Sequence, residues 1–110
     1  MVSAALAPKD RFMPAYVIAD IDVTDAAQYE EYKKIVPATI AQYGGKYLTR
    51  GGATVPLEGT WTPPRVVILE FASVVQAQAW YASPEYAKAK AARTGAASAK
   101  MLIVEGLPPG

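Results

Sequence analysis

The apolar residues of this chain follow two spacings, and each switch between them marks an element. In "PAYVIADID", Pro14 to Asp22, Tyr, Val and Ile dominate, and Pro14 stands at the start, where a missing donor is tolerated; this reads as a first strand. Tyr29, Tyr32, Val36, Ile40 and Tyr43 then recur three or four apart, one face of a helix. Thr24 is placed to cap that helix, with the acid Asp25 in its first turn. Pro37 interrupts it by removing a donor and crowding the carbonyl of Lys33, so one kinked helix and two short ones fit equally, and Gly44-Gly45 ends it.

"KYLTR", Lys46 to Arg50, is a short second strand, and Gly51 to Pro64, rich in Gly, Pro and Thr, is a long excursion. "RVVILEF", Arg65 to Phe71, carries apolar residues too densely for an exposed position and reads as a central third strand. Ser73 followed by Gln76 has the spacing of a capping box before Ala77, Trp80 and Tyr81. "SPEY" restarts a helix at Ser83, with Pro84 at its first position and Glu85 in the first turn; it runs to Ala92 or Arg93 and stops at Gly95. "KMLIVEG", Lys100 to Gly106, is the last strand.

This order, β-α-β-β-α-β with right-handed crossovers, predicts an α+β, ferredoxin-like domain: a four-stranded antiparallel sheet in the order 4-1-3-2 with both helices on one face. Alternation puts Val17, Ala19, Ile21, Val67, Leu69 and Phe71 under the helices. Tyr16, Ile18, Asp20, Val66, Ile68 and Glu70 then lie on the opposite, open face. An open face so apolar predicts a homodimer in which two sheets close over each other.

Composition narrows the chemistry. The chain has 110 residues, 52% hydrophobic and 19% charged, which suits one folded domain. We read 1–12 as a flexible extension, 13–106 as the domain and 107–110 as a loose end. A net charge of +1 spread along the chain gives no footprint for nucleic acid or an anionic membrane surface. No apolar run is long enough to span a membrane, and the opening residues lack a signal peptide's basic region, which leaves the cytoplasm as the default location. The chain contains neither cysteine nor histidine. That excludes thiolate chemistry, zinc-thiolate and haem-histidine ligation and the Ser–His–Asp triad, so no metal or cofactor is expected and proton transfer falls to Asp, Glu, Lys, Tyr or water.

On this arrangement Glu70 is the candidate proton carrier: a carboxylate at the end of a central strand, drawn into the space between two sheets, near Tyr16 and Lys46. Asp20 and Arg65 are expected to meet at the other end of the sheet, with Arg50 approaching the same edge, where a guanidinium orients an anionic ligand. The structural alternative is that these charges are solvated or paired across a subunit boundary. Tyr29, Tyr32 and Tyr43 read as core, Trp80 and Tyr81 as packed on the sheet, and Lys90 and Arg93 as surface residues. Glu58 and Trp61 of the long loop are placed either at a pocket rim or on an arm around a second subunit. Gly51-Gly52 is not a phosphate cradle, because no helix follows it.

The stretches "MPAYVIADIDVTD", "YEEYKKIVPATIAQYGGKYLTRGG", "RVVILEFASVVQAQAWYASPEYAKAKAAR" and "LIVEG" together resemble the DUF1330 family across Met13 to Gly106. The resemblance implies a place in the dimeric α/β-barrel superfamily, beside cofactor-independent monooxygenases, muconolactone-type isomerases and polyketide cyclases. It implies a homodimer with a pocket in each subunit, between the sheet and the helices or loop. Polar residues typical of the family match at Tyr32, Arg50, Arg65, Glu70, Tyr86 and Arg93, whereas "GAASAK" lacks the acid often found before the last strand. The expected function is a small cofactor-independent enzyme of isomerase, cyclase or lyase type. Its substrate is a small polar or aromatic metabolite, with Glu70 moving a proton and Arg50, Arg65, Asp20, Tyr16, Tyr32 and Tyr86 holding the ligand. The competing expectation is a non-catalytic homodimeric ligand-binding or assembly module.

Overall fold

The structure is a computed structural model that describes residues 13–108. The extension expected at 1–12 and the last two residues of the expected C-terminal end lie outside the described residues. The elements are β1 (Ala15–Val23), α1 (Ala26–Gln42), β2 (Lys46–Arg50), β3 (Val66–Phe71), α2 (Val74–Tyr81), α3 (Pro84–Arg93) and β4 (Ala97–Glu105). The antiparallel sheet has the order β2-β3-β1-β4, the expected 4-1-3-2 read from its other edge. This is the ferredoxin-like α+β fold.

Alternation decides which side is dry. Ala15, Val17, Ala19 and Ile21 of β1 and Val67, Leu69 and Phe71 of β3 are buried under the helices, as their spacing predicts. α1 adds Tyr29, Tyr32, Val36 and Ile40, and α2 adds Trp80, which is 1% exposed. The Trp80 indole donates to Thr39 Oγ1 at 3.0 Å, and that hydroxyl donates to the Val36 carbonyl at 2.8 Å. The only polar atom of the largest core side chain is thereby satisfied, and α2 is tied to α1.

α1 is a single helix with Pro37 inside it. Its cap is Asp25, whose Oδ1 accepts from the Gln28 amide at 3.1 Å, and not Thr24. The Thr24 hydroxyl instead donates to the Ala96 carbonyl, where the chain enters β4. Ser73 caps α2 as expected, but Gln76 completes only half a box: its amide nitrogen donates to the Tyr43 carbonyl at 2.9 Å, tying α2 to the end of α1. Ser83 caps α3, with Pro84 at its start.

Two departures bear on the site. β4 starts at Ala97, three residues before the expected Lys100, because Ala97, Ser98 and Ala99 pair with Val23, Asp22 and Ile21 of the long central strand. Small residues with little strand propensity are recruited by a neighbour already in place. On the other edge, the register of β2 shifts between Tyr47 and Thr49. Lys46 faces Glu70 and Tyr47 faces Leu69, but Thr49 then faces Ile68 and Arg50 faces Val67. The extra residue reverses the alternation, so Arg50 lies on the helix side of the sheet and not on the open face with Lys46 and Glu70.

Candidate functional site

Between the helices and the sheet lie two adjacent spaces. The first is a crevice of about 30 Å³, bounded by α1, β2 and β3, that reaches Tyr29, Tyr32, Tyr47, Arg50 and Arg65. The second is a cleft of about 460 Å³ between α2 and the edge strand β4, with Arg93 as its one charged lining residue. Val17, Trp80 and Met101 belong to the walls of both. Neither space is lined by a carboxylate.

All three described arginines are here. Arg93 is 9% exposed; it lies on the inner face of α3, not on the surface where the alanine-rich sequence places it. Its Nη2 donates to the Tyr86 hydroxyl at 3.5 Å, and the guanidinium sits 5.6 Å from the centre of the Tyr32 ring. Arg65 stacks toward Tyr29 at 5.8 Å, and Arg50 lies 4.7 Å from the Tyr47 ring while donating to the Lys33 carbonyl at 3.0 Å. Gly51 lets Arg65 in: it adopts φ +74°, and a Cβ there would collide with the guanidinium. The Nε atoms of Arg65 and Arg93 are both buried and have no hydrogen-bond partner among the described residues.

The tyrosines add donors. Tyr32 and Tyr86, 6% and 0% exposed, join hydroxyls at 3.2 Å. Two phenols sharing one bond leave one O–H without an acceptor, and a guanidinium accepts nothing. Burial, then the charge and hydrogen bond of Tyr86, push the Tyr32 phenol well above its ordinary 10.0. Tyr29 is raised by burial, against the opposing charge of Arg65, and Tyr47 likewise by burial against Arg50. Around neutral pH these phenols are protonated donors. The space under the helices is therefore rich in donors and positive charge and poor in acceptors.

The other expected site residues stand elsewhere. Glu70 is on the open face, opposite Tyr16 as expected, and its Oε1 pairs with Lys46 at 3.3 Å. Asp20 is also on that face, between Val66 and Lys100, and accepts from the Trp61 indole at 3.1 Å. The expected meeting of Asp20 with Arg65 does not occur: the ion pairs among the described residues are Lys33–Glu30, Lys34–Glu31 and Lys46–Glu70. Asp20 and Arg65 project to opposite sides of the sheet. The structure thus brings together Arg50, Arg65, Tyr32 and Tyr86 and separates them from Glu70, Asp20 and Tyr16 by the sheet itself. The sequence places Arg93 on the surface, although its match to the family pattern and its seven-residue spacing from Tyr86, two turns on one helix face, are signals that point inward.

Comparison with known proteins follows this geometry. The DUF1330 family, described as a domain of unknown function, matches residues 14–107. No curated protein matches the chain. Among solved structures, the RPA0582 protein of unknown function from Rhodopseudomonas palustris is similar with a TM-score of 0.71 at 22% identity, covering 91% of this chain and 87% of its own. A dimeric protein of unknown function with a ferredoxin-like fold from Bacteroides fragilis is similar at 0.57 and 15% identity, covering 84% and 95%. SnoaB, a cofactor-independent oxygenase from Streptomyces nogalater, is similar at 0.59 and 10% identity, covering 88% and 96%. At these identities the likeness shows the fold.

The buried phenols set a pH limit on stability. The folded state keeps the Tyr32 proton that an unfolded chain releases near pH 10, so this stability is complete below about pH 10 and is lost as pH rises further. The slope is about 1.4 kcal/mol per pH unit for each such phenol. Urea unfolding at pH 9 and pH 11 should show a falling midpoint, and Tyr32→Phe should flatten the fall; an unchanged slope in the variant would contradict the assignment.

Proposed function

The chain belongs to the DUF1330 family, and on that footing we propose that it binds a small organic anion in the space beneath its helices. The head group, a carboxylate or enolate, is held by Arg65, Arg93 and the spare phenolic proton of the Tyr32–Tyr86 pair. One observation carries this reading: two buried guanidinium nitrogens that have, among the described residues, neither a hydrogen-bond partner nor a carboxylate in the lining beside them. Buried donors normally find acceptors, and buried charges are normally paired. An anionic ligand would supply both at once, through charge-assisted bonds.

The chemistry that such a site supports is stabilisation of negative charge as it develops on a substrate oxygen. Preorganised donors in a space shielded from water suit an enol–enolate step, which isomerase, cyclase and lyase reactions on small polar or aromatic metabolites share. This reading needs no metal or cofactor. The fold also serves SnoaB, a cofactor-independent oxygenase, although fold alone assigns no reaction. The lining offers no carboxylate to act as base, so the substrate would enter already ionised or lose its proton to water. That absence favours the second reading, a non-catalytic ligand-binding module, in which the same donors only hold the anion.

In this proposal the protein works in the cytoplasm as a homodimer, and Glu70, Tyr16 and Asp20 belong to the dimer face. Tyr16, Ile18, Val66 and Ile68 are half-buried, and Leu102 and Val104 are exposed, on one side of a single sheet. The dimeric Bacteroides fragilis relative supports a second copy there. Sedimentation equilibrium should find a dimer, and Ile68→Lys, which places an unpaired charge in that face, should give a folded monomer. A wild-type monomer would contradict the closed-sheet arrangement.

Titration calorimetry with benzoate tests the anion site. Wild-type protein should bind it, and Arg65→Gln should weaken binding about 10- to 100-fold, the worth of a hydrogen bond to a charged group. Glu70→Gln should leave it unchanged. Loss of binding in Glu70→Gln but not in Arg65→Gln would move the site to the open face.

A further inference from the structure

The crevice and the cleft differ in volume by more than tenfold, yet they share three wall residues: Val17, Trp80 and Met101. Two of the three are fixed. Val17 is 3% exposed in the middle of the central strand, and Trp80 is held by its hydrogen bond to Thr39. Met101 differs. It lies on the edge strand β4, opposite Ala19, and is only partly buried against the core. Ala19 is the smallest neighbour that a strand pairing could give it short of glycine, so little opposes movement of the thioether. Methionine is unbranched, with three rotatable bonds, and swings between rotamers at small cost.

The two spaces are also chemically unlike. The crevice holds Arg50, Arg65 and the tyrosine hydroxyls, but at about 30 Å³ it accommodates little more than a head group. The cleft has the volume usual for a small-molecule site, and apart from Arg93 its lining is dominated by apolar and aromatic residues, among them Trp80, Ile103 and Ala77. Arg93 is more than nine-tenths buried, its Nε is unpartnered, and it stands where the cleft approaches the Tyr32–Tyr86 pair.

We infer that crevice and cleft are two halves of one ligand site, and that Met101 is its specificity-determining partition. The site takes an amphipathic monoanion, an aryl or short acyl carboxylate larger than benzoate. Its head lies between Arg65 and Arg93, and its body lies along Trp80 and Ile103. This rests on the anion-binding reading above and adds the shape of the ligand to it. With Met101 in place the head group enters the crevice and a single ring rests against the partition; with the thioether turned aside, or removed, a larger ring system extends into the cleft.

Calorimetry on the full chain with benzoate and 2-naphthoate tests this, using wild type, Met101→Ala and Met101→Ile. Removing the partition should tighten 2-naphthoate by about tenfold in Met101→Ala while benzoate changes by less than about threefold. Met101→Ile keeps bulk and strand propensity but stiffens the side chain at its first torsion. It should fold as wild type and bind 2-naphthoate more weakly than benzoate. Benzoate bound with the same preference in all three proteins would overturn the inference about Met101 and leave the anion site standing. Binding of neither carboxylate by any of the three would overturn both.

Discussion

A guanidinium can only donate, and beneath the helices of this protein Arg93 has no carboxylate among the described residues to donate to. Burying such a charge is unfavourable unless the surroundings answer it. Here the answer is aromatic: the Tyr86 oxygen accepts, the Tyr32 ring presents its face, and the two phenols bond to each other. That arrangement ties α1 to α3 on the helix side of the sheet. It also fixes the electrostatics of everything nearby, because phenols leave the positive charge unneutralised. A carboxylate in the same place would satisfy the arginines and close the site. Tyrosine contacts the arginines without neutralising their charge, and the proposed anion site rests on that.

The opposite face of the sheet follows a different logic. There Glu70 pairs with Lys46 and Asp20 accepts from the Trp61 indole, and between them run apolar rows on β1, β3 and β4. The long loop from Gly51 to Pro64 brings Trp61 back onto this face while leaving Val55 and Leu57 among the most exposed apolar residues described. Paired rim charges around an apolar centre are the anatomy of a protein interface rather than of a catalytic pocket. In the proposal above the sheet divides two tasks, assembly on one side and ligand on the other, and the expected site residues fall on both sides of it.

Much of this was legible in the chain. Alternation in "YVIADI" and "VVILEF" assigned Val17, Ala19, Ile21, Val67, Leu69 and Phe71 to their side, and Ser73 and Ser83 marked the helix starts. The failures share one cause: a tertiary neighbour overrode a local pattern. The extra residue near Leu48 leaves no composition signal, yet it carries Arg50 from one face to the other. Arg93 sits in "AKAKAAR", which reads as a solvated helix, and only the position of Tyr86 two turns earlier shows that its face turns inward. Ala97 to Ala99 become strand because β1 is long enough to need a partner there. The expected contact of Asp20 with Arg65 failed for the simplest reason, since nearness along the sheet edge does not overcome projection from opposite faces.

The central claim is that Arg65 and Arg93, and not Glu70, mark where a ligand binds. Its most direct test is a crystal structure of the protein soaked in 4-iodobenzoate, with the iodine located by its anomalous signal. The account predicts one strong site per subunit, the carboxylate within about 3 Å of the Arg65 and Arg93 nitrogens and the iodine directed toward the cleft beside Met101. An iodine peak on the open face of the sheet, next to Glu70 and Tyr16, with the arginines unaltered, would contradict it.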